Sequence, residues 1–112
     1  MQRDWELIRV LLYKLRDGQF DDVHGYEPRL VREHLRLLVD AGLIEGPPTE
    51  GGYALSRRMR LTWQGHEFIE SAQNEKVYKG VVEKASKFGA ISFEIIRTML
   101  AEVATRAMLG PG

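Results

Sequence analysis

Arginine is the residue in this chain best equipped to do chemistry. Arg29, Arg32 and Arg36 stand at spacings of three and four, which on a helix gathers them within about 60° of one another. Guanidinium forks so placed suit phosphate oxygens and the edges of guanine bases. Arg57, Arg58 and Arg60 form a second cluster further along. The competing reading of the first set is a solvated face, with Arg32 and Arg36 bridging to Glu33 and Asp40. For the second set it is edge protection, because charges on an exposed strand discourage pairing with other chains.

Other chemistries find little support. His24, His34 and His66 have no metal-ligand spacing; His66 and Glu70, four apart, make two ligands without a third. There is no cysteine, which excludes a thiolate nucleophile, a disulfide framework and a thiolate zinc site. The Gly46–Gly52 loop matches neither phosphate-cradling glycine pattern, and no serine occupies a G-x-S-x-G elbow. Asp21 and Asp22 adjoin on a polar turn and read as solvated carboxylates. The expectation is a protein that is not an enzyme, with no metal and no cofactor.

The elements that must position the arginines follow from periodicity. Asp4 is the N-cap of a first helix on which Trp5, Ile8, Leu11, Leu12 and Leu15 share a face, ending at Gly18. Gln19 to Glu27 is polar and turn-like, suited to a loop or short strand. Pro28 opens a second helix over 28–41, because its missing N–H costs nothing in a first turn. There Leu30, Val31, His34, Leu35, Leu37, Leu38, Val39 and Ala41 spread over one broad side and the arginines over the other. His34, among apolar positions, reads as a hydrogen-bonded core histidine. Gly42 supplies the left-handed stop.

Leu43-Ile44-Glu45 then reads as a strand, 46–52 as a loop, and 53–61 as the returning strand, with Leu55, Arg57, Met59 and Leu61 on one face. Thr62, Asn74 and Ser92 are candidate caps for helices passing through Phe68, through Tyr78 up to Phe88, and through Phe93, Ile96, Leu100, Val103 and Ala107. The Gly110-Pro111-Gly112 tail is expected to fray.

The chain of 112 residues is expected to be one domain, 1–112, with 74–109 as a helical extension. Sixteen basic against sixteen acidic residues give a formal charge of zero, where a dedicated nucleic-acid binder is usually basic. No apolar run approaches the ~18 residues of a membrane span. The N-terminus lacks a basic region followed by an apolar one. A cytoplasmic protein without membrane contact is the expectation.

Two segments resemble winged helix-turn-helix proteins. His34-Leu35-x-x-Leu38-x-x-Ala41-Gly42-Leu43-Ile44 looks like a recognition helix turning into a first wing strand. Leu61-Thr62-x-x-Gly65 looks like the exit from the second. A closer resemblance is to a family of uncharacterised bacterial and prophage proteins, a domain of unknown function. It rests on Arg3-Asp4-x-x-Leu7-Ile8-Arg9, Tyr26, His34-Leu35-x-Leu37-Leu38, Leu61-Thr62-Trp63-x-Gly65-His66-x-Phe68 and Phe93-Glu94-Ile95. The resemblance implies an α+β winged-helix-like domain with a C-terminal helical extension, and carries no activity with it. One departure stands out: winged helices place a full helix before the recognition helix, and Gln19–Glu27 is too short and polar for one.

Two functional readings stay open. The first is a DNA-binding regulator of bacterial or prophage origin, contacting double-stranded DNA through the 28–41 helix and the 53–61 wing strand. The second is an adaptor that binds a protein partner on the same scaffold. The apolar stripe Phe93, Ile96, Leu100 and Val103 is also expected to pair two copies as a homodimer.

Overall fold

The computed structural model describes residues 3–87, 89 and 92–109, without the side chains of 107–109. The expected fraying tail, Phe88 and the Ala107 side chain lie outside the described residues. The order is α1 (Trp5–Asp17), α2 (Pro28–Asp40), β1 (Ile44–Glu45), β2 (Arg60–Leu61), α3 (Trp63–Ser71), α4 (Glu75–Ser86) and α5 (Phe93–Leu109). The two strands pair antiparallel, Ile44 opposite Leu61 and Glu45 opposite Arg60. Among the described residues this is a mainly helical α+β arrangement with one small sheet. It divides into compact units at 1–69 and 70–112.

Local chemistry sets the element ends. The Asp4 carboxylate accepts from the Leu7 N–H at 3.0 Å, and Gly18 closes α1 at φ 68°, a conformation that costs glycine nothing sterically. Pro28 opens α2, and Gly42 follows it at φ 78°. Asn74 caps α4 through the Val77 N–H at 3.0 Å. Ser92 caps α5 through the Ile95 N–H at 3.1 Å.

The core of the first unit is built from one face of each element. Leu7, Ile8, Leu11 and Leu12 of α1 meet Leu35 and Leu38 of α2, the hairpin's Leu43, Ile44, Met59 and Leu61, and Phe68 and Ile69 of α3, all buried. Each large side chain so buried contributes roughly 1.5–3 kcal/mol before entropy is subtracted. In the second unit Tyr78, Val81 and Ala85 of α4 and Ile96 and Leu100 of α5 are buried.

The segment between α1 and α2 holds neither helix nor strand. Gly25 turns at φ 87°, and Lys14 holds Asp21 at 3.0 Å. That ion pair and its hydrogen bond keep the Asp21 carboxyl below the usual range.

The returning strand is shorter than its alternation suggests. Instead of 53–61, only Arg60 and Leu61 are extended in the ladder. A turn intervenes: the Met59 N–H donates to the Ser56 carbonyl at 3.0 Å and the Arg58 N–H to Ser56 Oγ at 3.3 Å. Serine offers the backbone this local alternative, and Ser56-Arg57-Arg58-Met59 has no β-branched residue to oppose it. Arg57 and Arg58 therefore sit on an exposed turn, with Arg60 alone of the three on a strand.

Candidate functional site

The arginine face of α2 is largely self-neutralised. Arg29 pairs with Glu33 at 3.2 Å and Arg36 with Asp40 at 3.8 Å, both one turn apart on the helix. Glu33 thus goes to Arg29 and not, as expected, to Arg32, because adjacent side chains on a helix do not face each other. Arg60 reaches across the ladder to Glu45. Arg32, Arg57 and Arg58 are exposed, and none has an ion-pair partner among the described residues. Exposed pairs are worth at most about 1 kcal/mol, so the paired arginines are screened rather than locked.

The hairpin returns beside α2. A β-carbon built on Gly52 would lie 3.9 Å from Arg32 Cδ, and Thr49 and Gly52 bridge to close the loop. At the other end of the hairpin Thr62 makes four bonds. Its N–H donates to the Leu43 carbonyl at 3.0 Å, its carbonyl accepts from the His66 N–H at 3.0 Å, its hydroxyl donates to the Gly42 carbonyl, and its oxygen accepts from the Gly65 N–H at 3.1 Å. One residue thereby ties the end of α2, the ladder and the start of α3 together. Gly65 permits the approach: a β-carbon there would overlap the Leu43 carbonyl oxygen.

His34 is fully buried. Its Nε2 accepts from the Asp4 N–H at 2.8 Å, and its Nδ1 lies 2.9 Å from the Leu30 carbonyl. An amide can only donate and a carbonyl only accept, so the ring is the tautomer with its proton on Nδ1. The core reading of His34 holds, and the sequence offered no sign of its partner thirty positions away. His24 and His66 are exposed. Among the described residues no three His, Asp or Glu side chains gather as a metal site.

Two features escaped the reading of the sequence. Trp63, at the start of α3, is 76% exposed; an aromatic beside a cap gave no signal beyond its place in the resemblance motif. A cavity of about 510 Å³ opens between residues 20–26, the first half of α2 and residues 53–55. Its trace in the sequence is the apolar set Phe20, Val23 and Tyr26 within a polar stretch. Burial pushes the Tyr26 hydroxyl pKa up, with Asp4 and Glu6 adding to it.

On α5, Ile96 and Leu100 are buried, while Val103 is 37% and Ile95 43% exposed. Phe93 is half-buried.

The family profile described as "Hypothetical protein (DUF2513)" matches residues 2–92. The chain belongs to this family. The matched DUF2513 residues include α1 to α4 and stop short of α5. A Haemophilus influenzae protein described as uncharacterized is similar, 36% identical over 89 residues that span 72% of this chain and 75% of the relative. No solved structure matches the chain. Among the described residues no helix is long and apolar enough to cross a membrane.

Proposed function

We propose that the first unit is a winged-helix-like, non-catalytic DNA-binding module of a bacterial or prophage regulator, acting in the cytoplasm. The observation that carries this reading is the disposition of charge around α2 and the hairpin. Arg32 on the helix and Arg57 and Arg58 on the turn remain unneutralised, and the hairpin's Gly52 comes back beside Arg32. α2, Gly42 and β1 follow the order of a recognition helix running into a wing. Phosphate contact by the three unpaired guanidinium groups is the first interaction such a surface offers.

The test is fluorescence anisotropy of a labelled random duplex against salt. Neutralising about three phosphates gives a slope of log K on log salt near −2.7, or about a 40-fold loss between ~50 and ~200 mM. An Arg32→Ala/Arg58→Ala double variant should bring the slope near −1. A chain with no affinity for duplex at ~20 mM salt would remove the DNA reading.

The second reading, a protein adaptor, is favoured by a different observation. Arg29–Glu33, Arg36–Asp40 and Arg60–Glu45 make a checkerboard of alternating charge, and exposed Trp63 is the residue type that most often anchors protein interfaces.

Self-association through α5 belongs to the same proposal. Phe93, Ile96, Leu100 and Val103 form its stripe; because Ile96 and Leu100 are already buried, a second copy would meet chiefly Val103 with Ile95. Light scattering at tens of micromolar should return twice the chain mass. A monomer there, at a concentration where a specific dimer of micromolar affinity forms, overturns the pairing.

A further inference from the structure

We infer that the cavity beside the first half of α2 is a binding site for a free apolar α-amino acid, held as its zwitterion. Its lining includes the half-buried apolar side chains of Val31, Leu55 and Tyr53. Its volume, about 510 Å³, falls in the usual range for small-molecule sites, about 300–1,000 Å³. Charge on the lining decides the ligand class. Arg32 and Asp22 both line the cavity, and neither has an ion-pair or hydrogen-bond partner among the described residues. The two are opposite in sign and do not pair with each other.

The neighbouring charges behave otherwise. Asp21, on the same lining, is taken up by Lys14, and the other two arginines of α2 are taken up by Glu33 and Asp40. A carboxylate on Arg32, an ammonium on Asp22 and an apolar side chain over Val31 and Leu55 would satisfy the three kinds of lining together. A simple carboxylate would leave Asp22 unanswered, and a simple amine would leave Arg32 so. A guanidinium fork also favours a planar carboxylate geometrically. The site shares Arg32 with the proposed DNA contact, but the inference does not rest on that contact and its test is read without DNA.

The test compares three probes by amide chemical shifts of the full chain: L-phenylalanine, phenethylamine, which lacks the carboxylate, and 3-phenylpropionate, which lacks the ammonium. Phenylalanine should shift the Arg32, Tyr53 and Leu55 amides and bind about tenfold tighter than either analogue, one charge-assisted contact being worth about that factor. Arg32→Gln should erase its advantage over phenethylamine, and Asp22→Asn its advantage over 3-phenylpropionate. Both positions are exposed, so neither variant threatens the fold. Equal affinity for all three probes, or no shift of those amides at about 10 mM phenylalanine, overturns the inference.

Discussion

Replacing Gly65 with alanine is expected to lower the unfolding free energy by about 3 kcal/mol or more, at or beyond the upper end of ordinary overpacking. The added β-carbon would overlap the Leu43 carbonyl oxygen and stand 3.0 Å from its carbon. That oxygen cannot swing aside, because it accepts from the Thr62 N–H while the Leu43 N–H is bound to the Leu38 carbonyl. Relief requires α3 to move off β1, which breaks the Thr62 bonds that seat the helix.

Gly80 on α4 provides the control. It is helical and exposed, with nothing within 4 Å of the position a β-carbon would take. Gly80→Ala should therefore stabilise by up to about 1 kcal/mol, the helix preference of alanine acting alone. Urea unfolding of the two variants should move in opposite directions. A Gly65→Ala protein as stable as its parent would show that α3 can stand off the hairpin at little cost.

The second large effect belongs to His34. His34→Ala should cost about 3–5 kcal/mol, combining a cavity with a stranded amide. His34→Phe separates the two contributions, since a ring of similar size fills the space but accepts nothing. It should cost about 1 kcal/mol or somewhat more, the lower end of the penalty for an unpaired donor, because the Asp4 N–H is only part-buried. Exchange of the Asp4 amide proton reads the bond directly: it should be slow in the parent and fast in both variants. Equal exchange in all three proteins would mean that Asp4 N–H does not depend on the imidazole.

Periodicity and capping made much of the fold legible. The helix starts at Asp4, Pro28, Thr62, Asn74 and Ser92 all follow from side chains that act within three residues of themselves. The stretch 53–61 was not legible, because alternation describes where side chains go only if the backbone stays extended, and Ser56 diverts it. The charges were more legible than the expected Arg32–Glu33 bridge allowed: neighbours in sequence point about 100° apart on a helix, and Arg29 and Glu33, four apart, are the pair that forms. Gly65 was visible as a motif letter, while its reason, a carbonyl from another element, is a property of two backbones in space. The cavity was illegible for a related cause, since its walls come from three segments.

The hairpin is fastened at its base and open at its tip. Its base is tight: a β-carbon on Gly46 would overlap Met59 Sδ and stand 2.7 Å from the Arg58 carbonyl oxygen, with Ile44 opposite Leu61 just inside. Residues 47–51 beyond it are all exposed. Closing a longer loop costs only about 0.6 kcal/mol per doubling of its length. The tip is thus a place where chain can be added almost without charge to the body, and where the reach of this protein can be lengthened while α2 keeps its seat.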